Sequence, residues 1–193
     1  RFLQKIEKNA GRLDNLAQDL SDIARIETGE LQMQIQPFDL ADLAEEVVES
    51  VGMRAREKEI TLRCEVSPHL PKVEGDRERV RQVLVNLVDN AIKYNNEGGY
   101  VELRSELLPD ERIRVAVVDN GIGIDPEDAE RLTERFYRVD KSRSREQGGT
   151  GLGLAIVKHI LEAHHEELRI ESTPGEGSTF WFALSPVRKT AEE

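Results

Sequence analysis

The spacing of apolar residues divides the chain into an N-terminal helix and a mixed domain. Between residues 2 and 26 the apolar positions follow a heptad, which Asn9 interrupts once. So narrow a stripe is typical of a coiled coil or a four-helix bundle, and one helix cannot bury it alone. We expect a partner helix upstream in the intact protein, in a second copy, or in both; the alternative is a surface helix packed on the following domain. Thr28-Gly29 is predicted to end the helix. The heptad rows are Ile6, Leu13 and Leu20, and Phe2, Leu16 and Ile23.

Beyond this helix, alternating apolar residues predict the strands of a mixed sheet. The first strand should end at Pro37, because proline cannot donate to a strand ladder. The predicted strands cover residues 31–36, 60–66, 101–107, 113–118, 168–172 and 178–184.

Helical periodicity predicts helices between these strands, segregated to one face of the sheet. Asp39 is placed to cap the first of them. Charge, glycine and few apolar residues predict a mobile loop over residues 133–149, and residues 188–193 should form a frayed tail. The predicted helices cover residues 40–56 and 76–94, a short segment after Pro126, and a segment from 150–153 to about His164.

Composition narrows the possible classes of function. The chain has 193 residues, 38% hydrophobic and 34% charged, which is ordinary for a soluble globular protein. A formal net charge of −11 without a basic block argues against a nucleic-acid binder, although a local group of cations would suffice for a nucleotide site.

The only cysteine is Cys64, which excludes an intrachain disulfide and favours a reducing compartment. No apolar run approaches membrane-spanning length, and no signal peptide is visible. Because the chain starts at Arg1 inside a helical pattern, we expect it to be part of a longer protein.

Residues 115–124 carry the first candidate chemistry. A β-branched apolar run ends in Asp119, followed by Gly121 and Gly123, which places a carboxylate at the edge of a strand. The two glycines would let backbone approach a flat ligand. Asp119 accepts hydrogen bonds and therefore suits an exocyclic amine, and Ile122 and Ile124 could enclose an aromatic ring. The alternative is a strand running into an Asx or glycine turn.

The predicted helix over residues 76–94 carries the second group of candidate functional residues. Asn86, Asn90 and Lys93 share one side of it because they are spaced by four and three residues. Neutral amide oxygens can complete the coordination of an Mg²⁺ ion already held by phosphates. Lys93 then supplies a charge for a phosphate and Tyr94 a flanking hydroxyl. Alternatively, these are solvated or capping groups.

The third candidate functional segment is a glycine-rich stretch over residues 148–153 that leads into a helix. Bare backbone N–H groups at a helix N-terminus form a natural phosphate cradle. The stretch is not a P-loop, since no Gly-Lys-Ser/Thr is present. It is not a dinucleotide fingerprint either, since Ile156 stands where the last glycine would be. The alternative is a flexible hinge.

A cationic patch precedes this stretch and could fold over a polyphosphate; by itself it could equally be solvated surface. It contains Arg138, Lys141, Arg143 and Arg145.

These pieces, in this order, resemble the ATP-binding domain of sensor histidine kinases over nearly the whole chain. "QVLVNLVDNAIKY" is similar to the family's asparagine box and "VVDNGIGI" to its first glycine box. "ERFYRVDKSRSR" is similar to its phenylalanine box and ATP lid, and "GGTGLGLAIVKHI" to its second glycine box. "GEGSTFWFALS" matches its last two strands, and "LSDIARIETGEL" resembles the end of its dimerisation domain.

The resemblance implies a Bergerat-type α/β two-layer sandwich over residues 31–187. Residues 1–30 would be the second helix of a dimerisation and phosphotransfer bundle. Asp119 would accept the adenine amine beside Gly121 and Gly123, and Thr179 would reach the adenine through water. Asn90 and Asn86 would bind Mg²⁺, with Asn86, Arg138 and Arg143 acting in catalysis. The remaining ATP-binding residues would be Lys93, Tyr94, Ile122, Ile124, Phe136, Tyr137, Lys141, Arg145, Gly149, Thr150, Gly151, Leu152 and Gly153.

One position separates the relatives within this superfamily. Gyrase-like and chaperone ATPases carry a glutamate, as general base for water, where this chain has Asn86. An amide cannot take a proton from water, so transfer to a protein acceptor is favoured over hydrolysis.

There are two departures from the family pattern. His164-His165 replaces the usual His-Gly after the third helix, which predicts a different turn there. The phosphoacceptor box is absent, so we interpret His69, His159, His164 and His165 as structural or solvated.

The sequence therefore predicts the ATP- and Mg²⁺-binding catalytic part of a two-component sensor histidine kinase. The intact enzyme would phosphorylate its own histidine and pass the group to an aspartate of a response regulator receiver domain. The resemblance implies a homodimer through the N-terminal helix and a cytoplasmic location, with any membrane attachment upstream and no nucleic-acid partner. This chain alone should bind ATP without phosphorylating itself. The alternatives are an ATP-binding regulator without phosphotransfer and an ATPase.

Overall fold

The computed structural model describes residues 17, 20, 21, 24, 32–139 and 150–187. The four described positions of the N-terminal segment are helical and exposed, among them Leu20 at 50%. The other heptad positions, the helix end at Thr28-Gly29, the boundary at residue 30 and the tail over 188–193 lie outside the described residues.

Residues 32–139 and 150–187 form seven strands and four helices in one domain. The elements are β1 Gln36–Phe38, α1 Leu40–Glu57, β2 Thr61–Glu65, β3 Val73–Gly75, α2 Arg77–Lys93, β4 Tyr100–Leu107, β5 Ile113–Asp119, α3 Pro126–Ala129, α4 Gly153–Ala163, β6 Arg169–Thr173 and β7 Gly177–Leu184. A five-stranded sheet with the order β2-β4-β5-β7-β6 forms one layer of the domain. Its strands pair antiparallel except for β2 and β4, which are parallel. A separate pair of short strands, β1 and β3, lies between the first described residues of the domain and the start of α2.

The helices cover one face of this sheet, as predicted. Cross-strand register places Val115 opposite Phe182 and Val117 opposite Phe180, and all four side chains are buried against the helices. Along a strand, successive side chains point to opposite faces. The outer face is therefore formed by the intervening residues, which are largely polar.

The cation–π stack of Arg114 on Trp181 lies on this outer face, with 4.5 Å between the guanidinium carbon and the ring centroid. It covers the two small buried residues beneath it, Ala116 and Ala183. No helix is needed on this side to bury them.

The predicted first strand was wrong in its position. Residues 32–35 form no strand, and the observed strand Gln36–Phe38 includes Pro37 rather than ending before it. It pairs with Val73–Gly75, a strand that the sequence analysis did not predict. Proline is tolerated because this pair has only edge strands. The segment is anchored by the side chain of Phe38, which is 5% exposed and lies in the core. It has no alternating apolar face.

The turn after α4 corrects another prediction. His165 adopts the left-handed conformation with φ of 61°, so this turn has the glycine-type geometry without a glycine. The N–H of Glu166 donates to the carbonyl of Leu161 at 2.8 Å, and the N–H of His165 donates to the carbonyl of Glu162 at 3.0 Å. This pattern is a Schellman motif, in which the backbone bonds impose the conformation.

We predict that His165→Gly raises the free energy of unfolding by roughly 0.5–1 kcal/mol, because glycine adopts a positive φ without the Cβ clash. Urea denaturation of the whole chain measures the change. The control is His165→Ala, which keeps the Cβ and should not stabilise the domain. A glycine variant less stable than the alanine variant would contradict this interpretation.

His164, at the end of α4, is structural, as predicted. Its Nδ1 lies 2.8 Å from the carbonyl of Ile160, and its Nε2 accepts from the N–H of Asp76 at 3.0 Å. Asp76 caps α2, since its Oδ1 accepts from the N–H of Arg79 at 3.1 Å, while its Oδ2 accepts from the N–H of Gln34 at 3.0 Å. The start of α2 is therefore held in place on one side by Gln34, just before β1, and on the other by His164 at the end of α4.

Candidate nucleotide-binding site

A buried carboxylate lies at the end of the central strand β5. Asp119 is 9% exposed and points to the same face as Val117, toward the helices. Its Oδ1 accepts from the N–H of Gly121 at 2.8 Å. Burial raises the pKa of Asp119 above its ordinary value, although hydrogen bonds from the backbone of Gly121 and Ser178 act in the opposite direction. The side chain is an oriented acceptor with little solvent around it.

The glycines after Asp119 are required by contacts within the protein. A Cβ on Gly121 would lie 2.6 Å from the carbonyl oxygen of Tyr94, and one on Gly123 would lie 2.0 Å from that of Thr173. Gly123 also has a positive φ of 66°. The segment is thus held between the end of α2 and the β6–β7 turn. This packing is a different reason for the glycines from the ligand approach that the sequence suggested.

Two isoleucines of this segment take different positions. The side chain of Ile122 is 44% exposed beside Tyr94. The N–H of Ile122 donates to the carbonyl of Tyr94 at 3.2 Å. Ile124 packs against the core, and its N–H donates to Ser172 Oγ at 2.9 Å. Ile122 is therefore accessible to a ligand, whereas Ile124 supports the segment from below.

The asparagines of α2 lie half-buried on the side of the helix that meets the start of α4. Asn86 Nδ2 donates to the carbonyl of Gln82 at 3.0 Å, and a Cβ on Gly153 would lie 2.8 Å from Asn86 Oδ1. Asn90 follows one turn later. The structure therefore brings Asn86 together with Gly153, from two motifs far apart in sequence.

The end of α2 is held by a cation that directly follows α1. Lys58 Nζ donates to the carbonyls of Ile92 at 3.2 Å and Lys93 at 2.6 Å. Lys93 Nζ in turn lies 4.8 Å from the centroid of the Tyr94 ring, which is 39% exposed. Lys93 and Tyr94 thus form one cationic and aromatic corner next to Ile122.

The two segments that flank residues 140–149 are joined by a backbone hydrogen bond. Phe136 N–H donates to the carbonyl of Gly151 at 2.9 Å, and both residues have positive φ values, 62° and 75°. A bulky residue rarely adopts this conformation, so the surrounding contacts impose it. Thr150 Oγ1 accepts from the N–H of Leu152 at 3.2 Å, and Leu152 is fully buried.

The remaining candidates from the phenylalanine box, the cationic patch and the second glycine box lie in different surroundings. Arg138 has two buried donors, Nε and Nη2, without a hydrogen-bond partner among the described residues. Tyr137 is occupied within the protein, since its hydroxyl donates to Asp128 at 2.5 Å and its ring lies 4.1 Å from the Arg131 guanidinium. Lys141, Arg143, Arg145 and Gly149 lie outside the described residues.

Comparison with known proteins assigns the family. A family model described as histidine kinase-, DNA gyrase B- and HSP90-like ATPase matches residues 75–188. The chain belongs to this family.

Similar members of the histidine kinase-like ATPase family are sensor proteins. Sensor protein GacS of Pseudomonas syringae pv. syringae is 39% identical over 198 residues, which cover 100% of this chain and 22% of GacS. Phosphate regulon sensor protein PhoR of Pseudomonas aeruginosa is 38% identical over 194 residues, which cover 100% of this chain and 43% of PhoR. The chain therefore spans less than half the length of these relatives.

Solved structures of the histidine kinase-like ATPase family share the fold. The crystal structure of full-length ShkA in complex with AMPPNP has a TM-score of 0.84 and 29% identity, over 97% of this chain and 39% of that chain. The Bergerat-type fold and the resemblance to sensor histidine kinases are therefore confirmed. The chain carries an ATP-binding catalytic domain of the sensor histidine kinase type.

Within this ATP-binding domain, the structure does not place Thr179 with the other candidate residues. Thr179 pairs with Val118 and Glu171 on the outer face of the sheet, away from Asp119. Its neighbour Ser178 lies directly opposite Asp119 and is 7% exposed. Ser178, and not Thr179, therefore points to the same face as Asp119. The alternation of Phe180, Phe182 and Leu184 toward the core was the sequence signal that could have shown it.

Two general features complete the description of this ATP-binding domain. None of the helices among the described residues combines the length and apolar character needed to cross a membrane. Nor does the described part of the chain contain three or more His, Cys, Asp or Glu side chains grouped as metal ligands.

Proposed function

We propose that this chain is the catalytic part of an ATP- and Mg²⁺-dependent protein-histidine kinase. It transfers the γ-phosphate of ATP to a histidine on a dimerisation domain, for relay to an aspartate of a response regulator. The observation that carries this proposal is the presence of Asn86, an amide, at the position of α2 that meets the glycine-rich start of α4. The names of the relatives, sensor proteins and sensor histidine kinases, support it.

The adenine end of the site fits the base of ATP. The oriented carboxylate of Asp119 accepts from an exocyclic amine, and Ile122 and Tyr94 offer exposed apolar surface beside it. Because Asp119 is largely removed from water, a hydrogen bond to its charged form contributes more than it would at the surface. The pocket thereby favours a base that carries an amine.

The α2 side fits a phosphate-bound Mg²⁺ ion. Asn86 and Asn90 offer neutral oxygens, which add ligands without repelling a polyphosphate as further carboxylates would. When bound, Mg²⁺ would neutralise developing charge on the phosphates. Lys93 supplies a separate positive charge one turn from Asn90.

Arg138 fits a role at the phosphates because two of its buried donors have no hydrogen-bond partner in the part of the chain that the structure describes. Buried guanidinium N–H groups without partners are costly, and an anion in reach would satisfy them. We propose that Arg138 binds a phosphate oxygen, with Lys141, Arg143 and Arg145 adding charge from the segment that follows. Lys141, Arg143 and Arg145 remain sequence-based expectations.

Asn86 also decides between transfer and hydrolysis. An amide is no general base, so Asn86 cannot activate water as a glutamate would.

A groove of about 570 Å³ runs along α2 from Gln34 and Asp76 to Asn86. We propose that it admits the acceptor histidine to the phosphate from outside the domain.

The proposed function places the intact protein in a two-component system. We propose a homodimer formed through the N-terminal helix, a response regulator as phosphate acceptor, and a cytoplasmic location with membrane attachment through upstream regions. The heptad pattern of residues 2–26 supports the homodimer, and the names of the relatives, sensor proteins, support the response regulator.

The test combines this chain with a separate dimerisation domain that carries the acceptor histidine. We expect acid-labile, Mg²⁺-dependent phosphate on that domain and little free phosphate. The control is the same domain with its histidine changed to alanine. Binding of ATP without transfer would instead support a regulator without catalysis, and rapid phosphate release by the chain alone would support an ATPase. Either result would contradict the kinase.

A further inference from the structure

Ser172 on β6 joins three parts of the candidate adenine site through one hydroxyl. Its Oγ accepts from the N–H of Ile124 at 2.9 Å, donates to the carbonyl of Gly177 at 2.9 Å, and lies 2.9 Å from Ser178 Oγ. Gly177 itself packs on Asp119, since a Cβ there would lie 2.0 Å from the Asp119 carbonyl oxygen. The glycine segment, the β6–β7 turn and the strand position opposite Asp119 therefore meet at Ser172.

Counting protons fixes the direction of each of these bonds. A serine hydroxyl has one proton and two lone pairs. The carbonyl of Gly177 can only accept, so the proton of Ser172 goes there. The N–H of Ile124 can only donate, so it takes one lone pair of Ser172. Both of these partners stay satisfied only if Ser178 donates its own proton to the remaining lone pair.

The consequence falls on Ser178. With its proton committed to Ser172, the Ser178 oxygen is an acceptor only toward the Asp119 side. Ser178 and Asp119 are directly opposite each other on β7 and β5 and point to the same face, so their side chains are neighbours. Two acceptors then stand together at the base of the pocket.

We propose that Ser172 is a specificity-determining residue that keeps Ser178 an acceptor and thereby selects an amine at position 6 of the purine. An amine donates to such a pair directly. A 6-oxo purine presents a carbonyl oxygen, which finds no donor there. Ser172 acts through Ser178 and is not itself in contact with the nucleotide. This inference rests on the proposed function, because it assumes that the site binds ATP.

The test compares ATP with inosine triphosphate, which differs from ATP at the base edge and keeps the same sugar and phosphates. In Ser172→Ala the Ser178 hydroxyl is free to turn and donate to the 6-oxygen. We expect the preference for ATP over inosine triphosphate to fall by about fivefold, the effect of one gained hydrogen bond. Ser172→Thr keeps the hydroxyl and should keep the wild-type preference.

A double-mutant cycle separates this role from a structural one. In a Ser178→Ala background, the further change Ser172→Ala should leave the preference unchanged, because no hydroxyl remains to be released. Equal weakening of both nucleotides by Ser172→Ala, or a change of preference that persists without the Ser178 hydroxyl, would overturn the inference. Thermal unfolding of each variant controls for folding. If the alanine variant does not fold, Ser172→Cys carries the same test, since a thiol accepts only weakly.

The wild-type chain separates the two levels of the proposal. Absence of ATP binding by the wild-type chain would contradict the proposed function itself. Dependence of ATP binding on Asp119, combined with an unchanged preference in Ser172→Ala, would contradict only the role of Ser172.

Discussion

Replacing Asp119 by Asn is expected to weaken ATP binding by about 100-fold while the domain stays folded. The change keeps the shape of the side chain but removes the charge and places an NH₂ donor opposite the adenine amine. Isothermal titration with Mg²⁺·ATP measures the affinity, and circular dichroism measures the fold. The matched control is Asp125→Asn, an exposed acid six residues further along the same connection. Unchanged affinity in Asp119→Asn would remove this residue from the site.

The pKa of Asp119 gives this prediction a second part. The native pKa is raised by burial, whereas the unfolded chain has the ordinary value. Between these two values the native state binds more protons than the unfolded state, so the free energy of unfolding falls as pH rises through this window. At pH 7 Asp119 is ionised in the native state, so the full decrease in the free energy of unfolding is present. The substitution Asp119→Asn removes this ionisation and with it the decrease in stability.

The variant should therefore be at least as stable as the wild type at neutral pH. ATP affinity of the wild type should fall on acidification, beginning at a higher pH than an exposed carboxyl would produce. A variant markedly less stable than the wild type at neutral pH would show that Asp119 serves the fold instead.

Replacing Asn90 by Ala is expected to lower the rate of phosphate transfer to a dimerisation domain by on the order of 100-fold. The change removes a proposed Mg²⁺ ligand, so the Mg²⁺ concentration needed for half-maximal rate should rise. Affinity for ATP measured with EDTA should hardly change, because the Asp119 side of the site is untouched. Asn96→Ala, an exposed asparagine in the turn after α2, is the matched control. A rate or Mg²⁺ dependence equal to that of the wild type would contradict the assignment.

Long periodic segments made most of the fold predictable. Helices α1 and α2 and strands β4 and β5 lie within one or two residues of their predicted ends, because each buries a regular apolar face. Strand β3 was missed, since Val73–Gly75 is too short to show alternation and is fixed by pairing with a distant segment. Backbone bonds at the end of α4 likewise impose on His165 a conformation that its residue type does not indicate.

The candidate site was predictable where one motif carries both the chemistry and its position. Asp119 lies at the end of its strand, and Asn86 and Asn90 share one side of a helix, as their spacing requires. Thr179 was assigned from the resemblance alone, whereas the alternation of faces along β7 places Ser178 inward, opposite Asp119. Ser172 was not predicted, because only the folded structure brings its hydroxyl to Ile124 and Gly177.

Calorimetric titration of the wild-type chain with a non-hydrolysable ATP analogue and Mg²⁺ tests the central claim most directly. The claim is that one purine nucleotide binds where β5, α2 and the glycine-rich start of α4 meet. We predict saturable heat with one nucleotide bound per chain. A folded chain that gives no binding heat over the range of temperatures and nucleotide concentrations used for such domains would contradict it.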